Sequence, residues 1–108
     1  MSRDIAIYDL KALDKLLIQT QHSTYCFTVI DPVRMSGFLS GGVLLNRQHV
    51  AFYKGALIGD GFKAEGDSSS LTVDSRAIFY LEENRDHLIT SAVTRLDQIG
   101  ADQGQELL

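Results

Sequence analysis

The stretch at residues 24–30, Thr-Tyr-Cys-Phe-Thr-Val-Ile, decides the fold, and Asp31-Pro32 follows it directly. Tyr25, Phe27 and Val29 occupy alternate positions, and this period of two places them on one face of a β-strand. The residues between them are also fairly apolar, so we expect a strand in the middle of a sheet. Proline lacks a ladder donor and favours a turn, so the strand should end there.

Similar short runs recur through the rest of the chain, and turn formers separate them at fairly even intervals. Their β-branched, aromatic and aliphatic residues predict further strands at 35–39, 43–45, 50–53, 71–74, 77–81 and 88–96. We therefore predict a mainly β fold, a small antiparallel barrel or sandwich of roughly five to seven strands with one short N-terminal helix.

The helix is predicted at residues 9–20. Leucines at positions 10, 13, 16 and 17 recur at helical spacing, and Asp9 precedes them as an N-cap. A helix this short is marginal in water, so its leucine face must dock on something. We expect it to cover the sheet, and the alternative is that it contacts another chain.

Length and composition indicate a single domain. The chain has 108 residues, of which 44% are hydrophobic and 22% are charged, as in ordinary globular proteins. We predict an N-terminal arm over 1–8, the helix over 9–20, a β domain over 23–97 and a flexible tail over 98–108.

The charge balance narrows the range of partners. The net charge is −4 and the basic residues are spread singly along the chain, which disfavours nucleic-acid binding. Cys26 is the single cysteine and cannot form an intramolecular disulfide, so a reducing compartment is the simplest inference.

The chain shows neither a signal-peptide pattern nor an apolar stretch of about 20 residues, so we predict a cytoplasmic protein without membrane contact.

The pair Gly41-Gly42 interrupts an apolar run between positions 38 and 45. Glycines inside a strand mark a bulge, a sharp bend or a close backbone approach, and we expect a corner of the sheet here. The alternative is an anion-binding loop, but the Lys and Ser/Thr spacing of a phosphate loop is missing.

No group of residues converges on a recognisable reaction, so we predict no catalytic residue, cofactor or metal. His22, His49 and His87 are the histidines that could activate a nucleophile, and the last two could hold a metal if their turns meet. Acidic residues such as Asp60 and Glu83 crowd the later turns, where a solvated rim is the simpler explanation. An enzyme with a loop-built carboxylate or histidine site stays an alternative.

Three short motifs occur in order: Tyr25-x-Phe27-x-Val29 with Asp31-Pro32, then Gly41-Gly42, then Thr90-Ser91-Ala92-Val93. Over about seventy residues, this order resembles a loose group of short, uncharacterised bacterial proteins with barrel-like β folds. The chain departs from the pattern at Ala92, where the group should have proline, and in its N-terminal extension. The resemblance implies a small β fold and carries over no catalytic residue.

These observations favour interaction over catalysis. We expect a non-catalytic module for protein interaction or oligomerisation, which binds a protein partner or itself through an uncapped strand or the helix face. The candidate surface is Leu10, Leu13 and Leu17, together with Tyr53 and Phe62, two aromatic residues that each precede a lysine. The alternative is a barrel that binds a small apolar ligand, and this function requires a cavity.

Overall fold

The computed structural model describes residues 4–58, 62–63 and 70–100, and for 62–63 it describes the backbone alone. Within these residues the protein is mainly β, and its strands form two sheets. The helical segments of the described part are two short 3-10 turns, Ile7–Asp9 and Gly42–Leu44. The prediction of a mainly β fold is therefore confirmed.

The described strands range from short bridges to one long strand near the C-terminal end. Their bounds are β1 Asp4–Ala6, β2 Lys15–Thr20, β3 Thr24–Asp31, β4 Ser36–Gly41, β5 His49–Ile58, β6 Phe62–Lys63, β7 Ser70–Thr72, β8 Arg76–Leu81 and β9 Asp86–Ile99. Every pairing between them is antiparallel, as the sequence predicts.

Six of the strands pair into an unbroken ring. Neighbours follow the order β4, β3, β2, β9, β8 and β5, and β5 pairs in turn with β4. Each strand of the ring therefore has a hydrogen-bonded neighbour on both sides. β6 pairs with the end of β5, and β1 pairs with β7 as a second, smaller sheet.

The predicted helix over residues 9–20 is wrong. Its second half forms β2, which pairs with β3 on one side and with β9 on the other. Leu16, Ile18 and Thr20 are buried and alternate with more exposed neighbours, as in a strand with one face in the core. Backbone hydrogen bonds to two neighbouring strands stabilise this segment more than its helix propensity would, because helix propensity is a weak effect that tertiary contacts often override. Leu13 has a φ of 74°, which breaks any helical run before β2 begins.

Most predicted strands are confirmed: those at 24–30, 35–39, 50–53, 77–81 and 88–96 correspond to β3, β4, β5, β8 and β9. The strand predicted at 71–74 is confirmed only at its first two residues, because β7 ends at Thr72 and a turn follows. The strand predicted at 43–45 is wrong, because the 3-10 turn Gly42–Leu44 occupies this segment. β5 and β9 extend beyond their predicted ends, to Ile58 and Ile99.

The predicted terminal segments are only partly described. In the predicted arm over 1–8, Asp4–Ala6 forms β1, and residues 1–3 lie outside the described residues. In the predicted tail over 98–108, residues 98 and 99 belong to β9, and 101–108 lie outside the described residues.

Buried side chains from both sheets form one apolar core. At its centre the Phe27 and Phe79 ring centroids lie 5.2 Å apart, and the Tyr53 centroid lies 5.5 Å from that of Phe79. The Tyr53 hydroxyl donates a hydrogen bond of 2.6 Å to the carbonyl oxygen of Ser70, so its polar end is satisfied. Other fully buried members are Ile7, Leu16, Ile18, Val29, Leu39, Ala51, Leu71, Ala77, Val93 and Leu96.

Gly41 and Gly42 form the corner that the sequence predicts. Their φ angles are 94° and 50°, conformations that favour glycine. A Cβ atom at Gly41 would collide with the carbonyl oxygen of Thr24, and one at Gly42 would collide with the Tyr25 ring. The corner therefore requires glycine both for its backbone angles and for the close approach of β3.

Phe27→Ala should lower the free energy of unfolding by about 3 to 4 kcal/mol, because removing a fully buried ring leaves a cavity in the core. Urea denaturation followed by circular dichroism measures the change. Val33→Ala is the control at an exposed turn position and should change the free energy by less than about 0.5 kcal/mol. A loss from Phe27→Ala no larger than that of the control would contradict the core assignment.

Gly42→Val should lower the free energy of unfolding by roughly 2 kcal/mol or more, since it adds backbone strain to a collision with the Tyr25 ring. Differential scanning calorimetry measures the loss as a fall in Tm. Val43→Ala, at the exposed next position, is the control and should leave Tm nearly unchanged. An equal Tm for the two variants would show that the corner does not need glycine.

Candidate functional site

Large apolar side chains cover the outward face of β4, β5, β8 and β9, which are neighbours in the ring. On this face Phe52 lies directly opposite Tyr80, and Tyr80 lies opposite His87. The Tyr80 and His87 rings meet edge to face, with centroids 5.2 Å apart. The three side chains form a row across β5, β8 and β9, because directly opposed residues share one face of a sheet.

Two further pairs of apolar residues extend this row. Phe38 of β4 lies opposite Val50 of β5, and Ile78 of β8 lies opposite Ile89 of β9. Val50 is 37% exposed and Ile89 is 45% exposed, so these two side chains meet solvent, whereas Ile78 is buried at 6% exposed. We call this surface the outer patch, and its members are Phe38, Val50, Phe52, Ile78, Tyr80 and Ile89.

The outer patch exists because β5 and β8 are apolar on both faces. Inward residues such as Ala51 and Phe79 enter the core, and the alternate residues Phe52 and Tyr80 therefore face outward. The water-facing side of an antiparallel sheet is normally polar. A contiguous apolar surface in that position is typical of a site that binds another molecule.

Two cations lie on the outer patch. Lys54 is exposed, and its Nζ lies 5.8 Å from the centroid of the Phe52 ring, within the range of a cation–π contact. Arg76 is exposed, and its Nε donates a hydrogen bond of 3.0 Å to the carbonyl oxygen of Thr90. Both cations are held against the patch, and neither forms an ion pair with a carboxylate of the described residues.

A separate polar cluster lies at the end of the ring where the β4–β5 loop meets the β8–β9 turn. Glu83 Oε1 accepts a hydrogen bond of 3.0 Å from Arg47 Nη2, and Glu83 Oε2 lies 3.1 Å from Nδ1 of His49. These two atoms are close but not aligned as a hydrogen bond. The buried Nδ1 of His49 therefore has the Glu83 carboxylate beside it but makes no hydrogen bond within the described residues. This cluster ties the loop and the turn together.

The histidines and carboxylates that the sequence offered only as an alternative catalytic or metal site are placed apart by the fold. His49 and His87 lie at the same end of the ring, but His49 is buried at an inward position and His87 is exposed on the outward row. The backbone N–H of His22 donates a hydrogen bond to the Ser91 hydroxyl. Among the described residues, no three His, Cys, Asp or Glu side chains are placed to hold a metal. Asp60 lies outside the described residues.

The predicted interaction surface is divided by the fold. Leu10 and Tyr53 are buried in the core, whereas Leu13 is 59% exposed. Leu17 is half-buried on the outward face of β2. Phe62 begins β6, and its side chain lies outside the described residues. Because no helix forms at 9–20, the three leucines do not share a face.

The sequence pattern did not predict the outer patch, although the residues of β5 carried a signal for it. Two aromatic residues, Phe52 and Tyr53, precede Lys54 there, and Tyr53 was predicted to belong to the interaction surface. The Tyr53 side chain points inward, while its neighbours Phe52 and Lys54 lie on the outer patch. When both faces of a strand are apolar, the pattern alone does not tell which face enters the core.

Within the described part of the chain, no helix is long and apolar enough to cross a membrane. The cytoplasmic location stays a prediction. No family model, curated protein or solved structure matches the chain. The resemblance to short bacterial proteins also stays a prediction.

Glu83→Ala should lower the free energy of unfolding by about 1 kcal/mol, because it leaves the buried His49 nitrogen without its nearby carboxylate. Glu82→Ala is the matched control, since its exposed side chain belongs to the same turn, and should change the free energy by less than about 0.5 kcal/mol. Urea denaturation at pH 7 measures both. Equal effects of the two substitutions would show that the cluster does not brace the loop.

Proposed function

We propose that the protein is a non-catalytic protein-interaction module that binds its partner through the outer patch. The observation that carries this proposal is the contiguity of the apolar side chains across β4, β5, β8 and β9. Association that buries such side chains gains free energy, and aromatic residues are enriched at protein interfaces. The patch lies on the outside of the ring, whereas small ligands bind in concave cavities.

In this proposal the ring of six strands is a small closed barrel. Support comes from the ladder that returns from β5 to β4 and from the aromatic rings at the centre of the core. A barrel of few strands has an interior just large enough for its own side chains. Such a scaffold presents its outer face rigidly, and rigid presentation lowers the entropy cost of binding.

The two alternative functions lack an observation of this strength. A carrier of a small apolar ligand needs a cavity, but the Phe27, Tyr53 and Phe79 rings occupy the centre of the core. An enzyme needs reactive groups that converge on a substrate, but His49 is buried at an inward position and His87 lies on the opposite, outward face. Binding of a protein partner is the function that accounts for the apolar side chains of the outer patch.

The test is gentle capture of the tagged protein from a lysate of its source organism, followed by native mass spectrometry. Phe52→Thr is compared with Leu17→Thr, because both side chains are half-buried on outward strand faces and threonine favours strands. Wild type and Leu17→Thr should retain one protein at fixed stoichiometry, and Phe52→Thr should retain at least about tenfold less. Circular dichroism verifies that both variants fold.

The identity of the molecule that stays bound decides whether the result supports the proposal. A different protein, or a second copy of the chain, supports the proposal if Phe52→Thr releases it while Leu17→Thr does not. Equal retention by both variants would contradict the proposal. Recovery of the wild-type protein as a bare monomer, or with a small molecule alone, would also contradict it.

A further inference from the structure

We infer that the segment bound by the outer patch is an acidic, apolar stretch of a protein partner. Its carboxylates bind Arg76 and Lys54, while its apolar side chains pack against Phe52, Tyr80 and Ile89. This inference rests on the proposed function and specifies the chemistry of the partner. Two observations support it: the positive charges of Arg76 and Lys54 on the patch, and the contacts that hold both side chains in place.

Arg76 supplies the first charge. The arginines at positions 34, 47 and 95 each pair with a carboxylate, whereas Arg76 and Arg85 pair with none in the described part of the chain. Arg76 instead donates from Nε to the carbonyl oxygen of Thr90, and its Nη atoms have no partner among the described residues. The guanidinium is therefore held in place with two donor groups free. A carboxylate can bind these donors with little further loss of side-chain freedom.

Lys54 supplies the second charge. It occupies the bulge in β5, between the residues that pair with Ile78 and Phe79 of β8. Its Nζ lies 5.8 Å from the centroid of the Phe52 ring, and it has no carboxylate partner in the described part of the chain. A partner segment that places an acidic residue next to an apolar one would meet the ammonium group and the ring together.

Acidic residues of the β8–β9 turn border the patch, since the Glu82 backbone N–H donates a hydrogen bond of 3.0 Å to the carbonyl oxygen of Val50. Glu82 follows the last residue of β8, and Asp86 begins β9, where its Oδ1 accepts a hydrogen bond of 2.8 Å from the backbone N–H of His87. The patch therefore combines apolar side chains with positive charge in a chain of net charge −4. Charge complementarity of this kind selects an acidic partner.

A nucleic acid fits these observations less well than an acidic protein segment. Nucleic-acid binding depends on many simultaneous phosphate contacts and on a basic stripe. The outer patch offers Arg76 and Lys54, on a chain whose net charge of −4 repels a long polyanion. A short protein segment needs only one or two carboxylates at matching positions.

The test is fluorescence anisotropy with two labelled octapeptides. The acidic probe is Asp-Phe-Glu-Ile-Asp-Phe-Glu-Ser, and the neutral probe is Asn-Phe-Gln-Ile-Asn-Phe-Gln-Ser, which keeps the shape and removes the charge. A labelled single-stranded oligothymidine is the third probe. The variants are Arg76→Gln and Lys54→Gln, and Lys15→Gln is the matched control because Lys15 is exposed on the outward face of β2.

The acidic probe should bind the wild-type protein at least about fivefold more tightly than the neutral probe. Arg76→Gln and Lys54→Gln should each weaken the acidic probe about 2- to 5-fold, the range expected for exposed charge pairs, without changing the affinity of the neutral probe. Lys15→Gln should leave both affinities unchanged. Raising the NaCl concentration should narrow the difference between the probes, because salt screens exposed charges.

Equal affinities for the acidic and neutral probes would overturn this inference and leave the proposed function standing, provided that Phe52→Thr weakens both. Binding that survives Phe52→Thr would overturn the inference and contradict the proposed surface as well. Failure of the acidic probe to bind the wild-type protein would also overturn the inference. Tighter binding of the oligothymidine, lost in Arg76→Gln, would assign the patch to nucleic acid instead.

Discussion

The ladder between β2 and β9 is the constraint on which the rest of the structure depends. It joins residues 15–20 to residues 93–99, near the two ends of the described chain, and it closes the ring. Side chains reinforce it, because the Ser91 hydroxyl donates a hydrogen bond of 2.8 Å to Thr20 Oγ1. The same β9 pairs with β8 and carries Ile89 of the outer patch. The ladder that closes the core therefore also fixes one side of the proposed binding surface.

Local signals were sufficient for most of the fold. The alternation of apolar residues in β3 and the turn formers beside it predict the bounds of that strand to within one residue. Both signals are local, so they can be read without knowing which strands pair. β2 could not be predicted in this way, since its leucines fit a helix as well as a strand. Its ladders to β3 and β9 decide between them, and the partner in β9 lies far along the chain. The turn Gly42–Leu44 was mistaken for a strand because apolar residues continue through it.

The site was less predictable than the fold, for a related reason. Residue types in β5 showed that an aromatic and basic surface was available, but not which of its two apolar faces turned outward. That choice is made by closure of the ring, which buries Tyr53 and leaves Phe52 outside. The position of Arg76 depends on the register of β8 against β9, because its hydrogen-bond partner is the Thr90 carbonyl. Long-range pairing thus determines both the apolar and the charged parts of the patch.

The central claim is that the outward face of β4, β5, β8 and β9 carries the partner, and photo-crosslinking tests it most directly. A photoreactive benzoylphenylalanine is placed at position 52 in one protein and at position 19 in another, since Gln19 is exposed on β2. Irradiation in cells should join the protein labelled at position 52 to one partner and give no such product from position 19. Equal products from both positions, or a product from position 19 alone, would contradict the account.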